Sequence, residues 1–268
     1  MMQIEQIKEY FPPYLRDNSL YHKYLMKEYI QLLILDFLSD TKWVKKLTFI
    51  GGTNLRLVKG IDRFSEDIDF DCKEFSEEEF SVMTDEILLY LMRLGFNAEI
   101  REKDNRKLTA FGRSFYFPGF LFELGLSAHR EERFLIKVEC QDRLFIYSPV
   151  IANIKGCGFY FSFPVPDDSV LCAMKISALL SRSKGRDFYD VMFLLSRTAP
   201  DYAFLKAKYG ITNMPELKKA FYNILGQVDL SHKSRDFEHL LFEKRNSLKI
   251  LAFEEFVREL GLKDGTLR

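Results

Sequence analysis

Two rhythms of apolar and polar residues run along this chain, one of helical and one of strand period, and the changes between them set its predicted elements. From about Leu20 to Leu38, Leu25, Tyr29, Leu32, Leu33 and Leu35 recur at roughly helical spacing behind Ser19, a suitable N-cap. The run Leu47 to Ile50 is short and apolar and predicts a strand, which enters Gly51-Gly52. A helical stretch from Thr53 to Lys59 follows, closed by Gly60, where a left-handed cap is favoured. Residues Asp67-Ile68-Asp69-Phe70 alternate, so a strand there turns Ile68 and Phe70 to a core and both carboxylates to the other face. Ser76 opens an amphipathic helix through Leu94, ended by Gly95. Strand-like stretches then run over Asn97 to Glu102, Lys107 to Phe117, Gly119 to Leu124 and Phe134 to Cys140. Turn chemistry separates them at Asp104-Asn105, Pro118-Gly119 and the charged run Arg130 to Arg133, which predicts a sheet of mainly antiparallel neighbours.

Around Pro149 to Pro166 the composition shifts to glycine, proline and aromatics, and a domain boundary is expected there. Beyond it Asp168 or Ser169 begins a helix to about Ser181, and the basic break Arg182-Ser183-Lys184-Gly185-Arg186 leads into a second, Asp187 to Leu195. The rest reads as further helices broken near Gly210, Gly226 and Asn246. The expectation is an α+β protein with a first, sheet-containing domain over residues 1–160 and a helical C-terminal domain over 161–268.

Charge and cysteine usage narrow the chemistry. Lys and Arg total 39 and Asp and Glu total 39, so no global basic field points to nucleic acid, and any such partner must use a local patch. Cys72, Cys140, Cys157 and Cys172 have neither C-x-x-C spacing nor nearby histidines, which argues against zinc and disulfides and fits a reducing cytoplasm. No signal peptide or membrane span is expected. His22, His129, His232 and His239 lack ligand spacing, and Ser65 has no adjacent base, so zinc hydrolysis and a Ser-His-Asp mechanism are poor readings.

The strongest chemical signal is the ordered arrangement of strand, Gly51-Gly52-Thr53, short helix and Asp67-x-Asp69. Glycine lets the backbone approach an anion, and a helix start offers N–H groups, so the turn suits the phosphates of a nucleoside triphosphate (NTP). Two carboxylates roughly 7 Å apart along a strand can jointly hold hard cations such as Mg2+ or Mn2+. Glu139 is the best third carboxylate, sharing a strand face with Lys137 while Ile136, Val138 and Cys140 face the other way; an ordinary exposed Lys/Glu pair is the plainer reading. Asp71 and Asp142 are rivals. Lys175, inside the apolar helix Val170 to Leu180, is a candidate phosphate contact or a lysine snorkelling from a core stripe. Asp187 and Asp190 are either catalytic or a helix cap paired with Arg186.

These residues resemble the AbiEii-type nucleotidyltransferases of the polymerase-β-like superfamily, many of which are toxins of type IV toxin–antitoxin or abortive-infection pairs. Phe49-Ile50-Gly51-Gly52-Thr53-x-Leu55 and Arg63-Phe64-Ser65-Glu66-Asp67-Ile68-Asp69-Phe70 resemble the first motif, Lys137-Val138-Glu139 the third-carboxylate strand, and Lys175 with Arg186-Asp187-x-x-Asp190 the later motif. The resemblance covers most of the chain. It implies a polymerase-β-like core and transfer of a nucleoside monophosphate from an NTP to an acceptor, often the 3′ end of tRNA, with an antitoxin encoded nearby. It also implies nucleotide binding by Gly51, Gly52, Thr53, Arg63, Ser65, Lys175 and Arg186, and metal binding by Asp67, Asp69 and Glu139. A protein side chain or small molecule as acceptor, and a binding module without turnover, are the competing readings.

Overall fold

The apolar runs supply the framework of the computed structural model, which describes residues 3–101 and 110–261. The chain forms two compact units. The first comprises Met1–Gly60, Phe64–Leu144 and Pro149–Val165, and the second Ile61–Arg63, Phe145–Ser148 and Pro166–Arg268.

In the first unit, α1 (Ile4–Lys8), α2 (Pro13–Arg16) and α3 (His22–Ser39) precede β1 (Leu47–Ile50), α4 (Gly51–Leu57), β2 (Ile68–Cys72), α5 (Glu77–Arg93), β3 (Glu99–Arg101), β4 (Ala110–Tyr116), α6 (Phe120–Glu123) and β5 (Leu135–Gln141). Five strands form one sheet in the order β1-β2-β5-β4-β3. Three of its pairings are antiparallel, and β2–β5 alone is parallel. A separate hairpin, β6 (Val150–Gly156) with β7 (Phe159–Val165), packs through β7 onto α3 and β1. There Phe163 lies 5.7 Å from the ring of Phe70 and 6.1 Å from that of Phe49, all three fully buried. Each such ring contributes about 1.5–3 kcal/mol by leaving water.

Most predicted elements appear within a residue or two. Ser76 caps α5, and a reciprocal bond from its N–H to Glu79 completes a capping box, 3.1 Å each way. Three differences have local causes. Asn18 rather than Ser19 caps the approach to α3, its side chain accepting from the Leu20 N–H at 3.1 Å ahead of the 3-10 turn Ser19–Tyr21. The expected strand at Gly119 to Leu124 is instead the short helix α6. Gly119 takes a left-handed φ of 66°, and the turn brings Phe120 within 4.9 Å of Phe134 and 5.6 Å of Phe117, a cluster an extended segment would not close. The stretch expected as a boundary holds the β6–β7 hairpin, and the first unit runs through it to Val165. The turn at Asp104-Asn105 and the start of the following strand lie outside the described residues.

The second unit is helical: α7 (Asp168–Arg182), α8 (Gly185–Leu195), α9 (Tyr202–Tyr209), α10 (Met214–Leu225), α11 (Leu230–Arg235) and α12 (Phe253–Glu259). Asp167 caps α7 through the Val170 N–H at 2.9 Å, and Ser183, at φ 48°, ends it. A Cβ on Gly185 would overlap the Lys233 carbonyl and stand 2.9 Å from the Phe237 ring, so α8 reaches α11 at a separation only glycine allows. The short segment Ile61–Arg63 belongs here because Arg63 bridges Leu241 and the Phe242 N–H donates to the Asp62 carbonyl at 3.2 Å.

Candidate active site

In the first unit, strand register assembles the carboxylates. Ile50 pairs with Asp69 across β1–β2, and Asp69 pairs with Glu139 across the parallel β2–β5 ladder, with Gly112 of β4 on the far side of Glu139. Asp67 precedes β2 on the same alternating face as Asp69. The Thr53 hydroxyl donates to the Asp67 carbonyl, which ties the start of α4 to that backbone. Gly51, at φ 85°, lies hard against Asp69: a Cβ there would overlap Oδ2 and sit 2.8 Å from Cβ and Cγ. A glycine is needed both for the backbone and for the space. Gly51→Ala should therefore cost about 1–3 kcal/mol of stability, through overpacking and a left-handed backbone, and lower any transfer activity by displacing Asp69. Urea unfolding beside an activity assay checks both.

Burial pushes the Asp67 carboxyl up from 3.8 to about 6, assisted by the charges of Asp69, Glu66 and Glu139 and opposed by Lys27. Lys27 is itself bonded to Glu66 at 2.9 Å. The folded state thus holds a proton on Asp67 between about pH 4 and 6 that the unfolded chain has released. This residue's contribution to stability falls as pH rises through that window. Asp67→Asn should stabilise the protein above pH 6, by on the order of 1–2 kcal/mol, and leave it unchanged below pH 4. Thermal unfolding at pH 4 and pH 7.5 measures the difference.

The rivals of Glu139 have other tasks. Asp71 is 3 % exposed and accepts from the Arg143 N–H at 2.9 Å, while Asp142 accepts from the Leu144 N–H at 2.8 Å in a turn. Ser65, also buried, has its carbonyl bonded by Gln31 at 3.1 Å. Gly52 follows Gly51 in the first turn of α4.

The donor set of Asp67, Asp69 and Glu139 is all oxygen, and the negative charges of Asp69 and Glu139 that add to burial in raising Asp67 are what a hard divalent cation relieves, so these residues fit Mg2+ or Mn2+. Among the described residues no group of three His, Cys, Asp or Glu side chains is gathered into a metal cage. Glu139 instead accepts from the Lys137 ammonium at 2.5 Å.

In the second unit, the residues of the later motif form an ion cluster. Asp190 is fully buried; both its oxygens accept from the Arg63 guanidinium at 2.7 Å, and Oδ2 also accepts from Lys175 at 2.8 Å. Burial alone would push the Asp190 carboxyl up, but Arg63 and Lys175 outweigh it and hold it at about 2. Burial pulls the Lys175 ammonium down, opposed by Asp190. Beside this, Tyr189 donates to Asp62 at 2.6 Å, and Asn246 donates to the same carboxylate at 2.8 Å.

Arg63 and Lys175, expected among the nucleotide contacts, thus have their charged groups on Asp190, with 1 % and 7 % of each residue exposed. At the start of α8 the Asp187 carboxylate completes a capping box with Lys184, and its ionic partner is Arg182 rather than Arg186. Arg182 binds it through two N–H groups at 3.0 and 2.8 Å, and the Lys184 N–H donates to it at 3.1 Å. Arg186 is half-buried on α8. The buried role of Arg63 and the link of Asp62 to Asn246 had no sequence signal, because charged residues in a turn read as solvated.

A Gly-Gly turn between strand and helix, an Asp-x-Asp strand and a mixed five-stranded sheet make this the fold of a nucleotidyltransferase. The family model described as nucleotidyl transferase AbiEii toxin, type IV TA system, matches residues 33–255. The chain belongs to that family, the nucleotidyltransferase toxins of type IV toxin–antitoxin systems. Among solved structures it is similar to MenT4, a nucleotidyltransferase toxin from Mycobacterium tuberculosis H37Rv, with a TM-score of 0.59 at 17% identity over 98% of this chain and 92% of that one. It is also similar to JHP933 from Helicobacter pylori, with a TM-score of 0.54 at 18% identity over 90% and 92%. At these identities the likeness is one of fold. No curated protein matches the chain. Among the described residues no helix is long and apolar enough to cross a membrane.

Proposed function

We propose that the protein transfers a nucleoside monophosphate from an NTP to a hydroxyl of RNA, the 3′ end of tRNA, with Mg2+ or Mn2+ held by Asp67, Asp69 and Glu139. The observation that carries this is the alignment of Asp69 with Glu139 on parallel neighbouring strands, against the side-chain-free Gly51. A divalent cation bound there would supply charge stabilisation at the α-phosphoryl group and ease deprotonation of the acceptor hydroxyl. The chain's own work is positional. Gly51 lets the turn lie directly against Asp69, Gly51 and Gly52 would bring backbone N–H groups close to the phosphates, and Thr53 fixes the backbone of Asp67. The acceptor oxygen bonds to the α-phosphorus as the bridging bond to the β-phosphate breaks, and pyrophosphate leaves.

RNA is favoured by family membership and by exposed Lys184 in the basic break between α7 and α8, although Arg182 in the same break already serves Asp187. An antitoxin partner and a cytoplasmic setting belong to the same reading. Incubation with each radiolabelled NTP, total RNA and total protein tests it. Label in the tRNA fraction, absent with Asp69→Ala, is the expected result. Label in protein alone would replace RNA with a protein acceptor, and no label in any fraction would leave a binding module without turnover.

A further inference from the structure

Glu139 differs from the other two carboxylates in having a counter-ion on its own strand. Lys137 and Glu139 stand two residues apart on β5 and therefore share a face, and the ammonium reaches Oε1 at 2.5 Å. Side chains at such positions normally rise in parallel from the sheet. Here Gly112, the β4 partner of Glu139, presents no side chain, and a Cβ there would stand 3.4 Å from Lys137 Cε and 3.5 Å from Glu139 Cγ. The lysine stem thus lies beside the bare glycine backbone as its ammonium reaches the carboxylate. Both side chains are about one-third exposed, at 37% and 34%, so the pair is open to exchange with ions from solution.

We infer that Lys137 is a built-in counter-ion that occupies Glu139 until a divalent cation displaces it, so that it positions the third carboxylate and sets the metal concentration at which the site fills. The inference rests on the metal assignment made above. An ammonium placed on a ligand oxygen must leave before that oxygen can bind a cation, and its own charge repels the incoming ion. The pair therefore lowers cation affinity while keeping Glu139 beside Asp69, its partner across β2–β5. An ordinary surface ion pair would have no such effect on ion binding.

Titration of the full chain with Mn2+, following the free ion by electron paramagnetic resonance, separates these cases. Wild type, Lys137→Met, Lys137→Arg and Asp69→Ala would be compared at fixed pH and ionic strength, each with its thermal unfolding curve. Lys137→Met should bind Mn2+ roughly three- to fivefold more tightly, the range set by loss of a partly exposed pair. Lys137→Arg should stay near wild type, and Asp69→Ala should lose binding. In transfer assays Lys137→Met should reach half-maximal rate at a correspondingly lower Mn2+ concentration. Equal or weaker Mn2+ affinity in Lys137→Met, with Asp69-dependent binding intact, would overturn the inference and leave the metal assignment standing. Mn2+ binding absent from wild type and Lys137→Met alike, or unaffected by Asp69→Ala, would overturn both.

Discussion

Asp69→Asn should lower nucleotidyl transfer by at least about 10²- to 10³-fold, the loss that follows removal of one preorganised electrostatic contact to a transition state. The substitution keeps shape and removes charge, so its effect on folding should be small. Asp69 is half-buried between Gly51 and the Glu139 position, and loss of its charge also removes one of the repulsions that add to burial in raising Asp67. Asp71 gives the control. It lies two residues on along the same strand face, but its carboxylate is buried and accepts the Arg143 N–H. Asp71→Asn should therefore weaken the fold by about 1–3 kcal/mol, the cost of disturbing a buried hydrogen bond to a charged group. Turnover per folded molecule should stay near wild type. Initial rates and urea unfolding of the two variants check the pair; near-wild-type transfer by Asp69→Asn would remove this strand from the chemistry.

The largest stability effect is expected at Asp190→Ala. That change strips Arg63 and Lys175 of a shared carboxylate while leaving both cations buried, and breaking a buried pair on one side costs about 3–5 kcal/mol. For a domain of this size such a loss is a large part of total stability. Lys175→Met in the same chain should recover part of it, because one of the two stranded charges is then gone. Chemical unfolding of the two single variants and the double variant yields the coupling directly. Additive losses would mean that Lys175 and Asp190 do not act as one cluster.

Much of the candidate site was legible because its signals are local. Asp67-x-Asp69 beside Ile68 and Phe70, and Glu139 beside Val138 and Cys140, each announce a two-faced strand through alternation alone. Their adjacency was not legible: seventy positions separate Asp69 from Glu139, and nothing in either stretch reveals a parallel pairing inside an otherwise antiparallel sheet. The hairpin of β6 and β7 was hidden by its punctuation. Gly156, Gly158, Pro164 and Pro166 read as a domain boundary, although Ile154, Phe161, Phe163 and Val165 carry a buried face beneath them. Arg63 misled for a different reason. Its position in the first motif suggested a phosphate, whereas burial with Asp190 depends on a helix that begins more than 120 residues later.

The placement of Ile61–Arg63 also bears on the order of events at the ribosome. Asp62 and Arg63 stand only a few residues before Asp67, yet their partners Leu241, Phe242 and Asn246 are synthesised long after them, Asn246 184 positions beyond Asp62. Contacts of such long sequence separation form late, since loop closure must precede any gain from them. A nascent chain can pair β1 with β2, and later β2 with β5, while the segment leading into Asp67 still lacks its anchor. For a member of a toxin family, this arrangement delays the anchored form until residues 241–246 have been made, and fragments released before them would lack the anchored segment.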